Sequence, residues 1–431
     1  MSSKSPPPAV RGTRDFLPED WKRIQYIFSV WRKIAKLYGF EEIEMPVLER
    51  YELFAQKSGE ELSQQLFNFL DKGNRRLCLR AETTPIIARM YIENERGLVK
   101  PLKWFCMSRL FRYEAPQKGR LREFFQLNVD ILGGGGNHAT AEVIACGIDI
   151  CREFGLTSKD FVMLLNHRKL LEGLIRQITD IDVLRVFNIV DKRSKLSPEE
   201  FRESLLAIGL SKSETEQIET LAGTKGPPTM ILDQLKEKGI NELASEGFEE
   251  LRETCDILRE YDILDYCLID LSIVRGLAYY VGVVFEVFDI LGELRSVLGG
   301  GVYTTMYGGK PAPAVGFGFG DAVIGVILDE KKLYPSFESE LDVYVTMIDS
   351  SVRPVAQRIL SQLRKNGLNA DIDLGARKFR KQLQQADKKG ARFAIIIGPQ
   401  DVEAGVVTIK NLRSGDQKTI PQDQLASFEW N

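Results

Sequence analysis

The chain has 431 residues, 44% of them hydrophobic and 28% charged, with a formal net charge of -3; this suits a soluble globular protein of two or three domains. It excludes a uniformly basic surface, so any RNA contact has to come from local basic patches. Only two histidines, His138 and His167, are available, and none of the six cysteines forms a C-x-x-C pair, which argues against a Ser-His-Asp triad, a multi-histidine metal site, a zinc ribbon or a redox motif.

The N-terminal MSSKSPPPAVRG lacks the apolar core of a signal peptide, and no apolar run approaches the roughly 20 residues of a membrane span. A cytosolic protein without membrane contact is expected. Trp21, Ile24, Phe28, Trp31, Ala35 and Tyr38 recur at helical spacing, so a helix is predicted over about 21–38, stopped by Gly39. EEIEMPVLER (41–50) alternates, with Ile43, Met45 and Val47 on one face, and reads as a strand with an edge or bulge at Pro46. LFNFLDKGNRRLCLRAE (66–82) reads as a hairpin about Lys72-Gly73-Asn74.

WFCMSRLFRYE (104–114) and FFQLNVDILGG (124–134) read as two strands joined by a long basic loop. Local connections of this kind favour an antiparallel sheet. Gly133 to Gly136 read as a turn, because no G-K-[ST] follows as a phosphate-binding loop requires. Residues 166–255 are charged and helical, and read as an insertion; Ser197 with Glu200 forms a capping box, and Ser213 with Glu216 repeats the signature. Strands resume at YCLIDLSIVRGLAYYVGVVFEVFD (266–289), LRSVLGGGVY (294–303) and PAVGFGFGDAVIGVIL (313–328). After the linker LYPSFESE (333–340), LDVYVTMID, NADIDL, FAIIIG and VVTIKNL alternate with helices over about 352–365 and 378–389, which predicts a small α/β domain with a mixed sheet. The expected domains are 1–165 and 256–332 for one split unit, 166–255 for the insertion and 340–431 for the last.

Three segments concentrate chemistry. In FRYEAPQKGRLREFFQ (111–126), Arg112 and Glu114 share a side if the chain is extended, and Lys118, Arg120 and Arg122 follow in a glycine-containing loop. Several guanidinium groups at a strand end can neutralise a polyphosphate; a solvated basic loop has the same composition. In RGLAYY (275–280), Arg275 among apolar residues calls for an anionic partner. The adjacent Tyr279 and Tyr280 would face opposite sides, and a structural ion pair with core tyrosines fits equally. In LRAETTP (79–85), a buried Glu82 with nearby hydroxyls suits an ammonium group, while a helix N-terminus explains Thr-Thr-Pro as well.

GTRDF at Gly12, LRAETTP, FRYEAPQKGRLREFFQ, RGLAYYVGVVFE, GGGVY and PAVGFGFGD resemble, in wording and order, the histidyl-tRNA synthetases, a class II aminoacyl-tRNA synthetase family. The resemblance covers roughly residues 10–425, including FRKQLQQADKKGARFAIIIG and GVVTIKNL, which look like its anticodon-binding part. It implies an α+β fold: an antiparallel class II sheet flanked by helices, a helical insertion and a C-terminal α/β anticodon-binding domain. It also implies a homodimer, in which the Trp21 helix and the strand holding Pro46 form the seam.

The activity implied is ligation of histidine to tRNA(His) through an adenylate, with ATP and Mg²⁺; the alternative is an inactive paralogue that binds histidine or a partner protein. Carried over, the match puts Arg112 and Arg275 on the α-phosphate as catalytic groups, Glu114 near the adenine, Phe124 stacked on it and Arg120 at the distal phosphates. Histidine is held by Glu82, Thr84 and Gln126 at its amino group, by Asp130 and Tyr280 at the imidazole, with Arg275 and Tyr279 alongside, and by Tyr303 closing the pocket. No metal ligand is assigned to protein side chains. The chain departs from the family pattern at Val323, where an arginine is common, and at Val302, Thr304, Ala278 and Val281. Val302 and Thr304 are expected to point away from the face that Tyr303 lines. Arg377, Lys378, Arg380, Lys381, Lys388, Lys389 and Arg392 are the candidate RNA contacts of the last domain.

Overall fold

Proline at a helix N-terminus gives up a donor that the first turn leaves unused, and the first helix accordingly runs from Pro18 to Leu37, beginning before Trp21. Its stripe of Ile24, Ile27, Val30, Trp31, Ile34 and Ala35 is buried. The computed structural model describes residues 6–55, 59–275, 279–290, 294–305, 311–375 and 377–430. The chain forms two units, Met1–Tyr334 and Pro335–Asn431, and no helix among the described residues is long and apolar enough to cross a membrane.

The first unit is built on β1 (Glu41–Glu42), β5 (Leu102–Phe111), β6 (Glu123–Leu132), β7 (Phe161–His167), β8 (Lys225–Gly226), β9 (Cys267–Asp270), β10 (Tyr280–Asp289), β11 (Leu298–Thr305) and β12 (Ala312–Gly320). They form one sheet in the order β1-β5-β6-β12-β11-β10-β7-β9-β8. The six strands from β5 to β7 in that order pair antiparallel, as local connections favour. The sheet becomes mixed toward its ends, where β1 runs parallel to β5 and β9 parallel to β7. One face packs on Pro18–Leu37 and on the helix Gly136–Glu153, around Trp31, Ile144, Phe317 and Phe319. The helices from Arg168–Arg176 to Glu242–Glu260 share this core through Leu170, Leu174, Phe248 and Leu251. The opposite face carries a second cluster with Tyr91, Trp104, Tyr280 and Tyr303.

Several local expectations need correction. EEIEMPVLER is not one strand: β1 ends at Glu42, Ile43 still donates to Phe105 O at 2.8 Å, and after Pro46, which has no N–H to pair, Leu48–Arg50 (β2) joins a separate sheet. There it pairs with β4 (Arg76–Leu79), which makes the expected hairpin with β3 (Asn68–Leu70). Met45 is buried but Val47 is exposed, so the alternation stops at the proline. Ser197 and Glu200 form the capping box as read. The second box is made by Ser211 and Glu214; Ser213 already lies inside that helix, and only a residue still in extended backbone can turn its hydroxyl onto the first free N–H groups. All six cysteines are buried and unpaired.

The second unit holds β13 (Val343–Met347), β14 (Ala370–Ile372), β15 (Phe393–Ile397), β16 (Val406–Asn411) and β17 (Gln417–Pro421), ordered β14-β13-β15-β16-β17. The first three are parallel and the last two antiparallel, with helices Arg353–Lys365 and Phe379–Lys388. Its core of Val345, Ile359, Leu363, Ile395 and Val407 is its own. β17 escaped the sequence reading because a mostly exposed edge strand shows one buried residue, Ile420, and no alternation.

Candidate active site

On the second face of the large sheet lies a cavity of about 330 Å³. Its floor is made of absent side chains. Gly299 on β11 and Gly316 and Gly318 on β12 line it, and each leaves room for a polar group from a neighbouring strand or from the segment before β10. A Cβ at Gly299 would collide with the Arg275 guanidinium, and one at Gly316 with the Asp130 carboxylate. A Cβ at Gly318 would lie 2.6 Å from Gln126 Nε2. The glycines of GGG and GFGFG therefore clear space in a pleated sheet where alternate residues share a face.

β6 presents Gln126, Asn128 and Asp130 to this cavity at period two. Asp130 is 2% exposed. Tyr303 donates its hydroxyl to Asp130 Oδ1 at 2.8 Å, and Oδ2 has no partner among the described residues. Burial raises this carboxyl to about 7, against the lowering effect of the Tyr303 hydrogen bond. Gln126 donates to Asn128 Oδ1 at 2.7 Å. Glu82, also buried, accepts from the Tyr279 hydroxyl at 3.2 Å. Thr84 lines the cavity from the start of the helix Thr84–Asn94, so this segment is both a helix N-terminus and a wall of the pocket.

The basic loop divides. Arg112 donates from Nε to Ala81 O at 3.0 Å and lies 5.4 Å from the Phe124 ring centroid. Arg120 pairs with Glu114. All four residues line the cavity. Lys118 bonds to Glu330 at 2.8 Å, and Arg122 donates to Glu114 O at 3.0 Å and covers Tyr113, so neither lines the pocket. The Arg112–Glu114 stretch is not extended: Glu114 N donates to Arg112 O at 2.9 Å in a tight turn, which brings both side chains to the cavity by another route.

Arg275 stands in left-handed backbone at φ 58° and donates from Nη1 to Glu286 Oε1 at 2.7 Å. The structural ion pair expected for it is present, and both partners line the cavity. Tyr279 and Tyr280 do not take opposite sides. Both line the cavity, with ring centroids 4.9 Å apart, because β10 begins only at Tyr280 and strand alternation does not govern the pair. Gly276, Leu277 and Ala278 lie outside the described residues.

Val302 packs against the core of the helical face and Tyr303 in the cluster of the pocket face. Val281 is exposed and Val323 is a buried, apolar part of the pocket wall. Sequence reasoning missed Asn128, Glu286 and Arg295 as cavity residues. Asn128 was findable, since it sits midway between Gln126 and Asp130 on an alternating strand.

The cavity thus offers buried carboxylates with tyrosine hydroxyls, and arginines. That arrangement receives a small polar cation or imidazole beside a polyanion. The family profile for histidyl-tRNA synthetase matches residues 12–320, and the anticodon binding domain profile matches residues 342–428. The histidine–tRNA ligase of Pyrococcus abyssi is 40% identical over 97% of this chain and 97% of its own. That of Haloarcula marismortui is 36% identical over 96% of this chain and 95% of its own. The crystal structure of histidyl-tRNA synthetase from Nostoc sp. PCC 7120 superposes with a TM-score of 0.78 at 26% identity, covering 99% of this chain and 98% of that one.

Proposed function

The chain belongs to the histidyl-tRNA synthetase family, and from that premise we infer that it is a histidine–tRNA ligase. The histidine carboxylate attacks the α-phosphorus of ATP, the bond to the bridging oxygen breaks and pyrophosphate leaves. The 3′-terminal ribose of tRNA(His) then takes the aminoacyl group, and AMP leaves. The observation that carries this reading is the buried Asp130 Oδ2, which has no partner among the described residues, in the same cavity as the arginines. Neutral imidazole has one donor and one acceptor. In our reading Asp130 takes the donor and Tyr280 supplies a hydroxyl to the acceptor, while the Tyr303 hydrogen bond holds the carboxylate in place.

Glu82, Thr84 and Gln126 surround the α-amino group in this reading, with Tyr279 orienting Glu82. Arg112 and Arg275 neutralise the α-phosphate, Arg120 the distal phosphates, and Phe124 stacks on the adenine beside Glu114. Both reactants are anionic, so positioning and charge neutralisation dominate over acid–base steps. A site of this kind rejects apolar isosteres, which would leave buried polar groups unpaired. Mg²⁺ accompanies ATP in this reading. Glu114 and Glu286 at the cavity already have arginine partners, so phosphate oxygens and water would be its main ligands. Histidine-dependent exchange of pyrophosphate into ATP tests the reading.

Histidine affinity is expected to fall as pH drops below about 7, because Asp130 then takes up a proton and no longer accepts from the imidazole. Calorimetric titration from pH 5.5 to 8.5, corrected for the titration of free histidine's own imidazole, checks this; Asp130→Asn should bind more weakly and flatten the corrected profile. An Asp130→Asn protein that kept the full pH dependence of the parent would remove Asp130 from the account.

We propose that the second unit reads the anticodon. Lys378, Arg380, Lys381 and Lys388 are exposed and have no ion pair among the described residues, while Arg377, Lys389 and Arg392 pair with Asp373, Asp371 and Asp342. Unpaired basic groups can steer an RNA backbone. Truncation after Tyr334 is expected to lower tRNA charging by at least about 100-fold while leaving exchange within a few-fold, since the first unit has its own core. Equal loss of both would make the second unit structural.

A homodimer is proposed on the exposed apolar residues Val47, Leu48, Phe69 and Leu70 around the three-stranded sheet, a patch that a twofold interface would cover. Light scattering at micromolar concentration should return twice the chain mass of 48.8 kDa. Six buried, unpaired thiols suit a reducing compartment, which supports a cytosolic location.

A further inference from the structure

We propose that Arg295, which the motif reading does not include, is a nucleotide-binding residue that engages the distal phosphates of ATP together with Arg120. Arg295 lies just before β11 and lines the cavity, beside the loop that joins β5 to β6. Its anchor is an amide. With the Gln117 side chain turned so that its oxygen faces the guanidinium, Arg295 donates to it from Nη2 at 2.7 Å and from Nε at 3.3 Å. No carboxylate partners Arg295 among the described residues, whereas Arg120 is paired with Glu114 and Arg275 with Glu286.

The anchor also sets the location. Gln117 and Arg120 exchange backbone hydrogen bonds of 3.0 and 2.8 Å across one tight turn, and Gly119 within it stands at φ 73°, on the pocket wall against Val323. A guanidinium held on Gln117 is therefore held at the turn that carries Arg120. It is exposed, whereas Asp130 in the same cavity is buried. An anion spanning the cavity puts its outermost charge there.

An amide oxygen spends only part of a planar five-donor fork, and the remaining N–H groups favour a bidentate oxyanion. Pocket charge points the same way. The lining carboxylates Glu82, Glu114, Asp130 and Glu286 match four arginines, Arg112, Arg120, Arg275 and Arg295, in number, and a polyphosphate can engage Arg295 without displacing a carboxylate partner among the described residues.

This inference rests on the ligase reading for its substrate, and the experiment separates the two. Full-length protein, Arg295→Ala, Arg295→Lys and Gln117→Ala are compared by calorimetric titration with ATP and with AMP, and by histidine-dependent exchange. Arg295→Ala should weaken ATP binding at least about 10-fold, as loss of a charge-assisted contact predicts, and leave AMP binding and the histidine KM within twofold. Arg295→Lys should recover part of the loss, because the charge returns without the fork; Gln117→Ala should lose less than Arg295→Ala, since the cation remains. Unchanged ATP binding in Arg295→Ala, or equal weakening of ATP and AMP, overturns the proposal. Absence of exchange in the parent protein counts against the ligase reading instead, and the ATP and AMP titrations still decide Arg295.

Discussion

Histidine-dependent exchange is expected to fall by about two to three orders of magnitude in kcat in Arg275→Ala, as when a preorganised donor to the reacting group is lost. Arg275 is committed to its place by three features. Its backbone sits at φ 58°, a region that costs a non-glycine residue strain unless the surroundings impose it. Its guanidinium occupies the space left by the missing Cβ of Gly299, and Glu286 fixes Nη1 at 2.7 Å. A guanidinium held in this way needs little reorganisation when charge moves on the phosphate. Burial already raises the Glu286 carboxyl above its usual range despite Arg275. Without the arginine it is expected to take up a proton rather than unfold the chain. The double variant with Glu286→Gln controls for an unpaired carboxylate: it should melt near the parent temperature and remain inactive. Near-normal turnover in either folded variant would remove Arg275 from the mechanism.

Gly316→Ala is expected to raise the histidine KM by about 100-fold, the size of effect that a misplacement of about 1 Å can produce. The new methyl would meet Asp130 and would lie 2.6 Å from Val129 O, a backbone atom of the neighbouring strand. Neither can retreat easily: Asp130 is held by Tyr303 at 2.8 Å, and Gly316 pairs with Asp130 in the strand register. Overpacking of this sort costs about 1–3 kcal/mol in stability, so a lowered melting temperature should accompany the loss. Gly325→Ala is the control. It lies in the helix Asp321–Glu330, where the nearest outside atom to a new Cβ is Tyr334 Oη at 3.6 Å. Helix propensity then favours alanine by up to about 1 kcal/mol, and activity should be unchanged. If Gly316→Ala binds histidine normally, the glycines of β11 and β12 are not what makes room for the pocket.

What could be read from residues alone follows from which signals are local. The β5–β6 hairpin is legible because two apolar-rich runs of strand length with a glycine-containing loop between them are properties of consecutive residues. Glu82, Arg112, Gln126, Asp130 and Tyr280 were legible because they sit in ordered motifs, and they line one cavity. Glu286 and Arg295 were not. Each is a single charged residue beside or within a strand, and its meaning depends on Arg275 or Gln117 arriving from elsewhere in the chain. Glycine runs show that something needs space, but only strand register shows that Gly316 faces Asp130, and only the folded chain brings the Arg275 guanidinium over Gly299. The break at Pro46 and the position of the Ser211 cap turn on where one hydrogen bond ends, a choice made by a neighbouring strand in the first case and by helix start in the second.

Amino-acid activation by the intact protein tests the proposed histidine pocket most directly. Purified full-length chain with ATP, Mg²⁺ and labelled pyrophosphate should exchange label into ATP when histidine is added and with no other standard amino acid, because the proposed contacts of Asp130 and Tyr280 suit the donor and the acceptor of a neutral imidazole. Histidine binding without exchange would mark a histidine-sensing paralogue. Exchange driven by a different amino acid would contradict the reading of the pocket itself.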